Sequence, residues 1–216
     1  MTTLKTIYEI ADELRAAASQ GLEYARDEYD RERHERVLAA ASRLVATAEN
    51  RDAEEVLAQF EDNLSHVSPL VGTDVAIFKE DRLLLIKRHD TKLWATPGGA
   101  SDVGETLAEG AAREAREEIG CEVQVMRLLA VFDWRLWHSK VKAQLYHVMF
   151  EAEIVSGEPT TSSEALEVDF FAEDNLPELH YGHRHWVPLV FKLARGEVAP
   201  PYFDTPGSPY IPTESS

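Results

Sequence analysis

Three closely spaced glutamates are the residues best suited to do chemistry. Glu114, Glu117 and Glu118 stand at positions i, i+3 and i+4, so in a helix they share one face. Alone they could form a solvated acidic surface, but three neighbouring carboxylates repel one another and weaken a helix. A hard divalent cation bound between them offsets that repulsion, and Mg²⁺ favours oxygen ligands. The spacing therefore predicts a Mg²⁺ site, at which Mn²⁺ could substitute.

The residues before this helix could shape such a site. A turn of Pro97, Gly98 and Gly99 precedes it, and because glycine lacks a Cβ, the backbone there can approach a metal closely. Arg113 lies about two helical turns beyond Glu105 and could pair with it. Such a pair would tie the loop to the helix.

The complete pattern resembles the Nudix box. From Gly99 onward it has a glycine, five residues, a glutamate, seven residues, an arginine with a glutamate, and then two glutamates and a glycine at the family spacing. The aliphatic positions hold Ala115 and Cys121, which are small but apolar. These departures concern the packing of the helix on a sheet and not metal binding. The resemblance covers roughly residues 68–195.

The resemblance implies a hydrolase in which water attacks a phosphorus atom of a diphosphate. Bound Mg²⁺ would neutralise the diphosphate and lower the pKa of a bound water. Glu105 and Arg113 would have structural roles. The implied metal ligands are Gly99, Glu114, Glu117 and Glu118.

Several glutamates are candidates for catalysis as a general base. Glu117 and Glu118 are the catalytic candidates within the box. Glu164 and Glu167 lie in the segment SSEALEVDFF, which in many relatives delivers a base over the site. The alternative for Glu164 and Glu167 is plain surface charge.

Basic and aromatic residues nearby could bind the substrate. Lys87 and Arg88 end a strand that leads into the glycine turn, and either could contact phosphate. Strand alternation directs only one of them toward the site. Trp137 lies with Trp134 and His138 after the box and could stack on a base. The same cluster could instead form a dimer contact or a hairpin tip.

A cluster of histidines and aromatic residues resembles a metal site in its composition. Its neighbours are apolar and its spacing matches no zinc site, so helix capping and packing explain it better. The group consists of Tyr181, His183, His185 and Trp186.

Residues 1–65 are predicted to form a helical N-terminal domain. Ile7, Ile10 and Leu14 recur at helical spacing, and Gly21 falls where a glycine cap would end this helix. A second helix is expected over about residues 30–48. Asp52, followed three residues later by a glutamate, resembles a capping box that opens a third helix.

From residue 71 the apolar period changes to that of strands. The runs VGTDVAIF and RLLLIKR flank a polar stretch, Lys79 to Asp81, that suits a hairpin turn. Strands with two interspersed helices predict an α/β fold, a Nudix-type α/β/α sandwich with a mixed sheet over residues 68–200. Residues 201–216 are expected to be an irregular tail, which Tyr202 and Phe203 could dock.

Composition narrows the classes of partner. The formal net charge of −17 disfavours stable binding to nucleic acid but not to a small phosphorylated ligand near a cation. One cysteine excludes an internal disulfide. No apolar run is long enough to span a membrane, and the acidic N-terminus does not resemble a signal peptide. A cytoplasmic location is therefore expected.

The N-terminal segment resembles the helical extension of a Nudix subgroup that includes CDP-choline pyrophosphatase. The resemblance implies a homodimer and a small nucleotide conjugate as substrate, with CDP-choline split into CMP and phosphocholine. The residues that carry it are Gly21, Leu22, Tyr24, Asp27, Tyr29, Asp30, Glu32 and Arg33.

Other functions stay open at this point. ADP-ribose, sugar nucleotides or nucleoside triphosphates could be the substrate, although no proline follows the box at the place typical of the ADP-ribose group. RNA processing is a further alternative. A non-catalytic nucleotide sensor is a different class, but such proteins usually lose box glutamates, and Glu114, Glu117 and Glu118 are all present.

Overall fold

The computed structural model describes residues 4–64, 68–137 and 144–212. The described residues divide into a helical unit, which comprises those up to Pro69 together with Gln144, and a second unit, which begins at Leu70 and contains the rest. Within the described residues, no helix is both long and apolar enough to cross a membrane.

The first unit consists of three helices: α1 (Leu4–Glu23), α2 (Glu28–Glu49) and α3 (Ala53–Glu61). Side chains cap the second and third of them. Asp27 accepts a hydrogen bond from the backbone of Asp30 at the start of α2. Asp52 accepts from the first two glutamates of α3 and satisfies amides that the helix leaves unpaired. The predicted beginning of α3 at Asp52 is thus confirmed.

Gly21 has a different role from the predicted cap. Helix α1 continues past it to Glu23, and a Cβ at Gly21 would lie 2.1 Å from the ring of His34. The missing side chain lets α1 and α2 pack closely. Leu22 and Leu38 meet in the small core between these helices.

Over its described residues, the second unit combines a sheet with three helices and one 3₁₀ turn. Its elements are β1 (Leu70–Lys79), β2 (Arg82–Arg88), β3 (Trp94–Ala95), β4 (Gly98–Ala100), α4 (Leu107–Ile119), β5 (Glu122–Asp133), α5 (Trp134–Trp137), β6 (Leu145–Ser156), β7 (Ala165–Phe171), the turn Glu173–Asn175, α6 (His183–Ala194) and β8 (Tyr202–Phe203).

The sheet is mixed and is covered on both faces. Its strand order is β3-β2-β1-β6-β5-β8, with β4 paired to β1 and β7 to β2. The β1–β6 and β5–β8 pairs are parallel, and the other pairs are antiparallel. Val75 and Ile77 pack with residues of α4, whereas Ala76 faces the core formed with α6. The predicted α/β/α sandwich is confirmed.

A two-residue turn joins β1 to β2. Glu80 and Asp81 both have positive φ, at 52° and 59°, as a type I′ hairpin requires. Lys79 belongs to the strand and pairs with Arg82. The predicted hairpin is present, with a turn one residue shorter than expected.

The C-terminal tail is more regular than the sequence predicts. Tyr202 and Phe203 form β8, a parallel partner of β5. Asp204 then accepts hydrogen bonds from the Asp133 amide at 2.6 Å and from the Trp137 indole at 2.9 and 3.0 Å. The tail docks because these buried donors require an acceptor.

Candidate active site

Helix α4 holds the box glutamates at fixed heights along one side. Thr106 and Glu109 form a reciprocal capping box at its start, and Gly120 ends it in a left-handed conformation. The helix buries its apolar face against the sheet. Glu114 and Glu118 border that face, so they are only 8% and 4% exposed, whereas Glu117 reaches solvent.

The glycine turn lies directly against these carboxylates. The Gly98 amide donates to Glu118 Oε2 at 2.7 Å. A Cβ at Gly99 would lie 2.5 Å from Glu114 Oε1, so any other residue here would displace the Glu114 carboxylate from the turn. Strand β4, which contains both glycines, is paired antiparallel with β1. The sheet therefore fixes the position of the turn relative to α4.

Arg113 connects the loop and the carboxylates. Its guanidinium donates to both oxygens of Glu105, at 3.0 and 3.1 Å, which is the pair that the spacing predicts. Its Nη1 also donates to Glu114 at 2.8 Å and to Glu117 at 3.1 Å. One cation thus partly neutralises three glutamates.

Burial disfavours the negatively charged form of the box glutamates. It raises the pKa of Glu118 to about 8, and the nearby charges of Glu114 and Asp74 add to that rise. Burial also raises the pKa of Glu114, where Arg113 opposes the change. Buried carboxylate oxygens that lack neighbouring positive charge are suitable ligands for a hard divalent cation.

Arg113 occupies the position between two of these carboxylates. In the described part of the chain, no three His, Cys, Asp or Glu side chains stand together as a ready set of metal ligands. Arg113 Nη1 lies between Glu114 and Glu117. Glu114 and Glu117 would therefore exchange some of their contact with Arg113 for contact with a metal.

The structure places Glu164 within electrostatic reach of the box. Its negative charge contributes to the raised pKa of Glu114. The carbonyl of Glu164 accepts a hydrogen bond from the His89 amide at 2.9 Å, which ties the start of β7 to the end of β2. Glu164 therefore lies near enough to Glu114 for their charges to interact, and its catalytic role stays a prediction.

Of the two basic residues at the end of β2, Arg88 faces the site. It interacts electrostatically with Glu118, and Asp90 binds its guanidinium at 2.9 and 3.0 Å. Lys87 instead pairs with Glu167 at 2.7 Å. Alternation along the strand thus directs Arg88 toward the box and Lys87 away from it. Glu167 pairs with Lys87 and so does not face the box.

Trp137 is a correction to the predicted substrate contacts. It is 1% exposed and packs against Phe132 and Trp186, with its indole N–H on Asp204. A side chain enclosed in this way cannot stack on a base without unpacking the core. His138 lies outside the described residues.

A buried polar group behind the glycine turn escaped sequence reasoning. Asp74 on β1 is 3% exposed, and it contacts His147 Nδ1 on β6 at 2.5 Å and accepts from Thr96 Oγ1 at 3.0 Å. Burial opposes its charge, but His147 and Thr96 outweigh burial and lower the pKa of Asp74. His183 is also buried, with Nε2 3.8 Å from Asp74.

Comparison with known families gives two matches that together span most of the chain. The NUDIX domain matches residues 68–190. A domain described as the UDP-X-like N-terminal oligomerisation domain matches residues 5–60. The two matches correspond to the sheet-containing unit and the helical unit.

Individual relatives resemble large parts of this chain. The chain is 31% identical over 172 residues to "Putative ADP-ribose pyrophosphatase YjhB" of Bacillus subtilis (strain 168), covering 79% of this chain and 83% of that protein. It is 32% identical over 134 residues to the ADP-ribose pyrophosphatase of Methanocaldococcus jannaschii, covering 61% and 78%. The crystal structure of a UDP-X diphosphatase matches with a TM-score of 0.61 and 27% identity, covering 93% of this chain and 99% of that one.

Proposed function

Because this chain belongs to the Nudix hydrolase family, we propose that it splits the diphosphate bond of a nucleoside diphosphate linked to a small moiety, with Mg²⁺ as cofactor. The observation that carries the proposal is the pair of buried carboxylates, Glu114 and Glu118, against Gly98 and Gly99. Nudix hydrolases generally use divalent metal ions, and the hard oxygen donors here suit Mg²⁺ in particular.

The residues of the box would hold the ion. Glu114, Glu117, Glu118 and the Gly99 backbone are the proposed ligands, and the ion would supply charge neutralisation and a more acidic water. Arg113 keeps Glu114 and Glu117 oriented from the side of Glu105.

Two residues outside the box complete the proposed mechanism. Glu164 would accept the proton of the attacking water, because its charge lies within reach of Glu114. Arg88 would bind a phosphate oxygen, because its guanidinium is held by Asp90 at the edge of the site. Glu117, more exposed than Glu118, is the alternative base within the box.

The substrate class is proposed from two sources. The names of the relatives point to UDP-linked compounds and ADP-ribose, whereas the resemblance of the N-terminal segment points to CDP-choline. All of these share a nucleoside diphosphate esterified to a second group. No described residue distinguishes between the bases, so the proposal is made for the class, and CDP-choline stays one prediction within it.

The test is a substrate panel in which the nucleotide products are separated and identified by anion-exchange chromatography. The panel contains UDP-glucose, CDP-choline, ADP-ribose and nucleoside triphosphates, each with Mg²⁺ and with EDTA. We expect Mg²⁺-dependent formation of a nucleoside monophosphate from at least one linked nucleoside diphosphate. Turnover of nucleoside triphosphates alone would contradict the proposed class, and no turnover with Mg²⁺ or Mn²⁺ would contradict the proposed catalysis.

We also propose that the helical unit joins two copies of the chain into a homodimer. An open groove on this unit is lined by apolar residues of α1 and α2, including Leu14, Val37 and Ala40, with Arg33 and Arg36 beside them. Ile10 on α1 is 42% exposed. The match to an oligomerisation domain over residues 5–60 supports a partner at this unit.

Ala40→Glu is expected to separate the dimer. The new carboxylate would stand in the apolar groove, where a buried charge is costly. We expect the dissociation constant of the dimer to rise at least about tenfold, or about 1.4 kcal/mol, when measured by sedimentation. Arg31→Glu is the control, because α2 directs Arg31 away from the groove residues. An unchanged dimer in Ala40→Glu would place the interface elsewhere.

A further inference from the structure

The buried carboxylate of Asp74 lies against the peptide that holds Glu118. In the β1–β4 pair Asp74 is opposite Gly98, and a Cβ on Gly98 would lie 2.9 Å from Asp74 Oδ1. The amide of that same Gly98 donates to Glu118. A single glycine therefore separates a buried acid from a proposed metal ligand.

Asp74 fixes the chain just before Gly98. Thr96 donates its hydroxyl proton to Asp74 Oδ1 at 3.0 Å, and both side chains are almost fully buried. The Pro97 carbonyl accepts from the Val75 amide at 2.9 Å. The segment from Thr96 to Gly98 is thus held by β1 through one side-chain bond and one backbone bond.

His147 in turn fixes Asp74. Its Nδ1 contacts Asp74 Oδ2 at 2.5 Å, and because a carboxylate only accepts, this nitrogen carries the hydrogen. Trp134 and Trp186 pack against the imidazole. Within the described residues, His147 Nε2 has no hydrogen-bond partner, so the ring's hydrogen bonding there is directed to Asp74.

We propose that Asp74, oriented by His147, is a positioning residue that sets the Thr96–Gly98 segment so that the Gly98 amide holds the Glu118 carboxylate in place for the metal. The inference rests on the proposed role of Glu118 as a metal ligand. It assigns to Asp74 no contact with substrate. Its effect passes through Thr96 and Gly98 to Glu118.

The sharpest test removes only the Thr96 hydroxyl. Thr96→Val keeps the shape of the side chain and loses the hydrogen bond to Asp74, whereas Thr96→Ser keeps the hydroxyl. Outer partners of metal ligands typically contribute 10–100-fold to metal affinity or activity. We therefore expect Thr96→Val to weaken Mn²⁺ binding about tenfold and Thr96→Ser to restore it.

Three readouts distinguish positioning from a merely structural role. Free Mn²⁺ measured by electron paramagnetic resonance, without substrate, reports metal affinity. The Gly98 amide proton, assigned by NMR, should shift upfield in Thr96→Val as its bond to Glu118 weakens. In steady-state assays kcat at fixed, subsaturating Mg²⁺ should fall, and KM for the nucleotide should change less than about twofold, because uniform substrate binding is untouched.

Asp74→Asn is the second variant, with the same expected direction in all three readouts. Unchanged Mn²⁺ affinity and an unchanged Gly98 shift in Thr96→Val, with a lower melting temperature only, would overturn the positioning role. The proposed function fails separately, when the wild-type enzyme shows no metal-dependent turnover. If the wild-type enzyme is active and Thr96→Val equals it in Mn²⁺ affinity, Gly98 amide shift and kcat, this inference alone would be overturned.

Discussion

Glu118→Gln is expected to lower kcat/KM at least about 100-fold, while the protein stays folded. The loss should reach the upper end of the 10–100-fold range typical of outer partners of metal ligands, because Glu118 is proposed to bind the metal directly. Stability should hold without metal, since burial disfavours the charged form of Glu118 and raises its pKa, and glutamine replaces the neutral acid with a neutral amide of the same shape. Glutamine can still accept the proton of the Gly98 amide.

Two measurements check this prediction together: Mg²⁺-dependent turnover of the best substrate and the melting temperature in EDTA. Glu153→Gln is the matched control, because Glu153 is exposed on β6. This substitution also removes one negative charge, but it changes no residue of the box. A Glu118→Gln enzyme that keeps more than about a tenth of wild-type kcat/KM would contradict the role given to Glu118.

Trp137→Ala should damage stability and leave substrate affinity almost unchanged. The indole is fully enclosed beside Phe132 and Trp186, and truncation of such a side chain typically costs about 3–5 kcal/mol in free energy of unfolding. The variant also leaves half-buried Asp204 without its indole donor. Urea denaturation followed by circular dichroism gives the free energy of unfolding, and KM is measured on the folded enzyme.

Trp137→Phe separates the packing from the hydrogen bond. It keeps an aromatic ring and loses the N–H donor, so we expect a smaller loss of about 1–3 kcal/mol. KM should stay within about twofold of wild type in both variants, because the side chain at position 137 is enclosed in the core and does not contact substrate. A tenfold rise in KM with little change in unfolding free energy, about 1 kcal/mol or less, would return Trp137 to the substrate site.

Local signals in the sequence predicted the elements well. Asp52 begins α3 and Gly120 ends α4 because capping depends on residues within one turn of each other. The glutamates of the box were found for the same reason, since their spacing along one helix determines which of them share a face. The pairing of Arg113 with Glu105 also follows from sequence separation alone.

Contacts between distant segments were not predictable in this way. Asp74 and His147 are 73 positions apart, and the parallel pairing of β1 with β6 brings them together. The sequence pattern specifies that both segments are strands, but not their order in the sheet. The burial of Trp137 is not predictable for a similar reason, because the acceptor for its indole, Asp204, lies 67 positions away in the tail.

Asp204 also links the integrity of the C-terminal segment to the stability of the core. The carboxylate accepts hydrogen bonds from the Asp133 amide at the end of β5, from the Trp137 indole and from the Tyr202 hydroxyl. Cleavage after Pro201 would therefore leave the Asp133 amide and the Trp137 indole without this acceptor. The lost hydrogen bonds would destabilise the core and not only the segment next to the cleavage site. A C-terminal segment that resists digestion would thus report an intact interior, and truncation before Asp204 would be expected to lower the yield of folded enzyme.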